Sequence, residues 1–178
     1  MPKVVVIGGG WSGSGAALAA KKAGADVVLL ERADMLLGTG LVGGIMRNNG
    51  RYTAAEEMIA MGGGELFQLM DKVSRHRNIE FPGHKHASLY DVALAEPAVK
   101  KALIDAGIEV HTESRVTDVE ADGNKILAVV TDDGRKYEGD VFVECTGAAG
   151  PQVNCTKYGN GCAMCIYRCH SYGGRVSV

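Results

Sequence analysis

The chain opens on a run of apolar, mostly β-branched residues, Val4-Val5-Val6-Ile7, with no polar alternation. Such a run reads as a strand buried on both faces of a parallel sheet. Glycines follow, and then small residues predict a helix from about Ser12 to Ala23, with Gly24 placed to end it. Val27-Val28-Leu29-Leu30 is a second continuous apolar run, so the first 30 or so residues form a strand–helix–strand crossover. The pattern then dissolves between Asp34 and Tyr52. A helical period returns over Ala54–Arg75, interrupted by Gly62-Gly63-Gly64, where each glycine costs about 1 kcal/mol relative to alanine. Asn78–Ser88 reads as a loop, Tyr90–Ala106 as a helix stopped by Gly107, and Ile108–His111 as a third strand. Beyond it the rhythm becomes one of alternation: Arg115–Glu120, Lys125–Thr131 and Arg135–Glu138 are joined by Asp122-Gly123 and Asp133-Gly134, which predicts an antiparallel meander. Asp140–Glu144 is again a buried strand, and it runs into Thr146-Gly147. The fold class expected is therefore α/β: a Rossmann-like, doubly wound parallel sheet with an inserted antiparallel β-meander. Residues 1–150 form the domain, and residues 151–178 are a separate segment with little periodicity.

Composition adds three constraints. A formal net charge of −2, with no basic run, argues against nucleic acid as a ligand. No apolar stretch reaches the roughly 20 residues that span a bilayer, and the N-terminus lacks the regions of a secretory leader, so the expectation is a cytoplasmic protein with no membrane contact. The 25 glycines cluster in short groups, as they do where backbone must lie close to something else.

The first of these groups carries the chemistry. Gly8-x-Gly10-x-x-Gly13 lies between strand and helix. Its first glycine permits a tight turn, its second lets backbone approach a pyrophosphate, and its third lets helix and strand pack closely. A phosphate would then face the free N–H groups and positive dipole end of the helix, with the Ser12 hydroxyl as a further donor. Trp11 stands inside the turn, where it either packs on the helix or covers a cofactor. Glu31 ends the second strand, about 20 residues on, where a carboxylate accepts hydrogen bonds from an adenosine ribose. Together these features predict an adenine dinucleotide and leave FAD and NAD(P) both open.

The combination of Gly8, Gly10, Gly13, Ala17, Gly24, Val27, Glu31 and Arg32 resembles the FAD-binding domain of the glutathione-reductase-like flavoproteins. Leu37-Gly38-Thr39-Gly40, the meander, and Cys145-Thr146-Gly147 are similar to the group called FAD-dependent oxidoreductases. The resemblance covers roughly residues 3–150. It implies FAD as the cofactor, with Gly38 and Thr39 near the phosphates or the flavin side, Val116 meeting the adenine through its backbone, and Thr146-Gly147 approaching the adenosine diphosphate. Members of that family continue into a substrate domain and a late Gly-Asp motif. The sequence stops before either, which predicts a fragment, a truncated gene product or one subunit of a split flavoenzyme, with a homo-oligomer or a complementary subunit as the expected partner.

Four of the five cysteines fall in the last segment, as Cys155-x6-Cys162-x2-Cys165-x3-Cys169. Thiolates at this density ligate an iron–sulfur cluster or zinc, and Cys162 and Cys165 alone could cycle as a dithiol. The spacing matches only the second half of a ferredoxin run, so unpaired structural cysteines stay open as well. Cys145 reads as a small buried hydrophobe, Met58, Met61 and Met70 as core filling, and His84 and His86 as residues of a solvated loop. No Ser-His-Asp arrangement or carboxylate pair points to hydrolysis. The readings carried forward are an FAD-binding portion of an oxidoreductase, a non-catalytic nucleotide-binding subunit that needs a partner chain, and an NAD(P)-binding or Fe–S/zinc module.

Overall fold

A computed structural model describes residues 1–41, 45–47 and 50–147. In chain order the elements are β1 (Lys3–Ile7), α1 (Trp11–Lys22), β2 (Asp26–Leu30), a 3-10 turn (Gly38–Leu41), β3 (Ile45–Arg47), α2 (Gly50–Ala60), α3 (Glu65–Lys72), β4 (Ser74–Phe81), β5 (His84–Tyr90), α4 (Val92–Asp105), β6 (Glu109–His111), β7 (Val116–Asp122), β8 (Lys125–Thr131), β9 (Lys136–Glu138) and β10 (Val141–Glu144). They fall into two units. Met1–Thr39 and the described residues from Lys100 onward form one, and Gly40–Val99 form the other.

The first unit is built on a four-stranded parallel sheet in the order β10-β1-β2-β6. The continuous apolar runs become its two central strands because both faces are covered. In register, Val5 lies beside Val28 and Phe142, and these residues with Leu30 pack against Val129 of the meander, flanked by Ile7, Val116 and Tyr137. Alternation sends Val4, Val6, Val27 and Leu29 to the opposite face, and all four are buried. Helix α1 packs beside β1 and β2 with Ala17 fully buried. Each of these aliphatic side chains contributes roughly 2 kcal/mol by leaving water. The meander β7-β8-β9 is antiparallel, with turns at Gly123 (φ 57°) and Gly134 (φ 81°), as the Asp-Gly pairs predict.

The second unit holds the antiparallel sheet β3-β5-β4, the helices α2 and α3 and the start of α4. Gly62-Gly63-Gly64 separates α2 from α3. Gly62 is left-handed (φ 80°), and a Cβ on Gly64 would fall 2.5 Å from Ile59 Cα, so the helical period of Ala54–Arg75 is two helices and not one. The loop expected over Asn78–Ser88 is instead most of a hairpin, β4 and β5, turning at left-handed Gly83 (φ 83°). Met70 is buried, whereas Met58 and Met61 are exposed and fill no core. Among the described residues, no helix is long and apolar enough to cross a membrane.

Candidate functional site

The turn between β1 and α1 needs its glycines for different reasons. Gly8 is left-handed (φ 102°), and a Cβ there would meet the Cys145 carbonyl oxygen at 2.6 Å, because β10 ends against this turn. A Cβ on Gly13 would lie 1.8 Å from the Gly8 carbonyl oxygen, which is the close helix–strand approach that the third glycine serves. Gly10 differs from both. Its backbone is extended (φ −68°, ψ −172°), which any residue adopts, and none of the described residues lies within 4 Å of where its Cβ would be. The fold does not require glycine there, whereas a ligand pressed against the backbone would.

Gly10 is also the N-cap of α1, and it supplies no side-chain cap to the helix. The first turn carries no acidic residue and the last carries Lys21 and Lys22. The helix therefore points its N-terminal end and the positive end of its dipole to the Gly10 side with no side chain from the cap residue over it, an arrangement suited to a phosphate. Trp11 opens the helix and is half-buried, while Ser12 is exposed with its hydroxyl donating to Cys145 Sγ at 3.5 Å. Cys145 itself is half-buried and not the enclosed hydrophobe expected from sequence.

Glu31 stands at the C-terminal end of β2 and is only 9% exposed. Its Oε2 accepts the Gly9 N–H at 2.7 Å and its Oε1 accepts the Ala33 N–H at 2.9 Å, so the carboxylate is fixed beside the phosphate turn. The Glu31 main chain bonds to His111 and Ser114, joining β2 to the segment after β6. Arg32 is exposed. Gly38 and Thr39 lie in the 3-10 turn, and the residue before them, Leu37, donates its N–H to the Gly9 carbonyl at 2.9 Å. Val116 heads β7, half-buried against the core cluster. Thr146 turns back on its own strand, donating its N–H to Glu144 Oε1 at 2.6 Å and its hydroxyl to the same oxygen, and left-handed Gly147 (φ 62°) follows. The structure thus gathers Gly8, Gly10, Trp11, Ser12, Gly13 and Glu31 at the C-terminal ends of parallel strands, the place where nucleotides bind in open α/β sheets.

Cys155, Cys162, Cys165 and Cys169 lie outside the described residues. Among the described residues no group of three or more His, Cys, Asp or Glu could hold a metal ion. Sequence reasoning passed over Gly9, whose Cβ position is taken by Leu36, Leu29 and Glu31. The signal was there: three consecutive glycines where the motif asks for two.

In the second unit the conspicuous polar group is Arg47, buried among Glu56, Asp71 and the face of Tyr52, whose ring centre lies 4.8 Å from the guanidinium carbon. Burial pushes its pKa down. The charges and hydrogen bonds of Asp71 and Glu56 outweigh that and hold it above the ordinary value. His86, on β5, is exposed and its Nδ1 lies 2.8 Å from Asn78 Oδ1.

The family model described as FAD dependent oxidoreductase matches residues 3–150. Relatives include zeaxanthin epoxidase, chloroplastic, from Spinacia oleracea, 32% identical over 164 residues with 82% of this chain and 24% of that protein covered. The same enzyme of Oryza sativa subsp. japonica is 31% identical over 166 residues, covering 82% and 25%. Among solved structures, the Diels-Alderase PyrE3 superposes with a TM-score of 0.62 at 23% identity, covering 84% of this chain and 33% of that one. Glycine oxidase from Bacillus cereus gives 0.60 at 15% identity, covering 83% and 56%. At these identities the structural likeness speaks for the fold alone. The chain spans about a quarter of the length of the curated relatives it matches.

Proposed function

The chain belongs to the FAD-dependent oxidoreductase family, and from that premise we propose that its first unit binds FAD across the β1–α1–β2 crossover. The Gly8–Gly13 turn and the start of α1 receive the diphosphate, with the Ser12 hydroxyl and Trp11 beside it. The Glu31 carboxylate, with Arg32 following it, takes the adenosine ribose. Gly38 and Thr39 line the phosphate or flavin side, Val116 meets the adenine, and Thr146 and Gly147 flank the adenosine diphosphate. The observation that carries this reading is Gly10, a glycine that neither the backbone angle nor any neighbour among the described residues demands.

When bound, FAD supplies the electron- or hydride-transfer chemistry. The residues named above bind and orient it, while Glu31 and the helix end give the site opposite charges at its two ends. The substrate, the electron acceptor and the completing polypeptide belong to the whole protein, of which this chain corresponds to the FAD-binding portion. We assign residues 1–150 to that portion, leave 151–178 as an appended cysteine segment, and favour completion by further chain or by a partner.

The test separates ligand from fold. Gly10→Ala should leave thermal stability unchanged or slightly raised, since alanine at a compatible angle stabilises by about 0.4–1 kcal/mol, while FAD affinity, read from flavin fluorescence, falls at least about tenfold. Glu31→Gln should also weaken FAD. Gly10→Ala with undiminished FAD affinity would remove the assignment. For Cys155, Cys162, Cys165 and Cys169, we propose thiol-based redox or metal chemistry beside the flavin. Protein purified without oxygen should then carry iron with acid-labile sulfide, or zinc, or two thiols that oxidise reversibly as a pair; finding none of these leaves the cysteines structural.

A further inference from the structure

Between the acid that ends β2 and the glycine-rich segment after it, the chain does something the motif does not call for. Leu37 adopts φ 72°, and its side chain is fully buried. Left-handed backbone is unusual for any residue with a Cβ, and a branched apolar side chain neither favours it nor bonds locally to support it. Something must hold the residue there.

Two contacts do so. The Leu37 N–H donates to the Gly9 carbonyl at 2.9 Å, and the side chain is enclosed, like that of Leu36 next to it. Leu36 in turn occupies the space beside Gly9, its Cδ2 lying 2.6 Å from where a Cβ on Gly9 would be. Gly9 therefore sits at a junction. Its N–H goes to Glu31 Oε2 at 2.7 Å, and its carbonyl accepts both the Leu37 N–H and, at 3.2 Å, the Ser14 hydroxyl of α1. One residue joins the acid, the helix and the segment that leaves Leu37. The next residue, Gly38 (φ 45°), is left-handed as well, so the direction of the Gly38–Thr39 backbone is set by two consecutive residues of that hand.

We propose that Leu37 is a positioning residue of the FAD site. Its buried side chain and its bond to Gly9 force the left-handed backbone, and this presets Gly38 and Thr39 against the phosphate turn before the cofactor arrives. A segment already in place does not have to be ordered on binding, and that saving appears as affinity. The inference rests on the FAD reading above and adds a residue that makes no claim to touch the cofactor itself.

The test compares Leu37→Met, Leu37→Ala and Leu37→Gly in the full chain, reading the thermal midpoint without FAD and the FAD affinity by flavin fluorescence. Methionine keeps the volume and should bind FAD within about threefold of wild type. Alanine and glycine both remove the anchor and should each lose about tenfold in affinity. Glycine accepts φ 72° freely, so Leu37→Gly should melt above Leu37→Ala while binding no better. If affinity simply follows melting temperature across the three, or if Leu37→Ala and Leu37→Gly bind like wild type, the positioning role is overturned. A readout without variants guards against misfolding: the Leu37 amide should resist hydrogen exchange in the FAD-free chain as well as in the bound one. Protection that begins only when FAD is added would overturn presetting. A wild-type chain with no FAD affinity removes the FAD reading and this inference together, whereas normal wild-type binding with insensitive variants removes this inference alone.

Discussion

Both units bury charged side chains, and Glu31 of the first and Arg47 of the second are treated differently. In the first, the Glu31 carboxylate accepts from the amides of Gly9 and Ala33. A carboxylate offers about four acceptor sites, so these amides orient the group while engaging one site on each oxygen. In the second, Arg47 is met by two carboxylates, Glu56 and Asp71, and by the Tyr52 ring, and its Nε is enclosed with no partner among the described residues. Glu31 is positioned by neutral backbone donors. Arg47 has its charge cancelled by its own chain. The first arrangement suits a site, and the second suits a clamp between β3, α2 and α3.

The largest effect expected from testing this contrast comes from the turn itself. Gly13→Ala places a methyl 1.8 Å from the Gly8 carbonyl oxygen, and neither backbone can yield without moving α1 from β1. It should cost about 3 kcal/mol or more and abolish FAD binding, seen as a collapse of both the thermal midpoint and flavin quenching. Next comes the clamp. Arg47→Met leaves Glu56 and Asp71 facing an apolar chain. With those carboxylates partly exposed, the loss should be about 2 kcal/mol by denaturant unfolding, while FAD affinity is unaltered. A fall in affinity larger than the fall in stability would erase the distinction between clamp and site.

The smallest effect is one of pH. Asp91 stands immediately before α4, where its Oδ1 accepts the Ala93 N–H at 2.9 Å and its Oδ2 accepts the Arg75 Nε–H at 2.7 Å. The Arg75 hydrogen bond, followed by that of the Ala93 amide, holds its pKa below the usual carboxylate value. A depressed folded-state pKa stabilises fully above the unfolded value, about 3.9, and the gain is lost as pH falls through the folded one. Asp91→Asn should therefore melt below wild type at neutral pH, with the two melting curves converging under acid conditions. A gap that persists at low pH would mean that the capping geometry matters and the charge does not.

Much of the first unit can be read from sequence because its elements are patterned by burial. Val4–Ile7 and Val27–Leu30 have no polar interruptions since both faces are covered, and the Asp-Gly pairs mark the meander because each of its two turns holds a left-handed glycine. The second unit hides its sheet. Residues 75–78 and 85–86 are exposed, so no alternation of apolar and polar positions announces β4 and β5. The hairpin also carries register shifts and two left-handed non-glycine residues, Asn78 (φ 50°) and His86 (φ 52°), which break the period further. Its one local signal is Pro82-Gly83. In the site, the motif glycines were visible as residue types. Gly9 and Leu37 act through a carbonyl, an amide and a dihedral angle, none of which has a letter of its own.

The order β10-β1-β2-β6 has a bearing on how the molecule comes into being. The first strand of the chain lies beside the last described one: the Lys3 N–H bonds Asp140 Oδ2 at 2.8 Å, 137 positions away, and the Cys145 N–H bonds Ile7 at 2.8 Å. During synthesis Gly8 emerges early, yet the Cys145 carbonyl it packs against is made about 137 positions later. Pairings this distant are slow to close, so a nascent chain keeps its N-terminal strand exposed along one edge until β10 has been made. Ribosome-bound intermediates ending before Val141 should therefore be the ones that need chaperones, and cofactor capture should wait until β10 has been made.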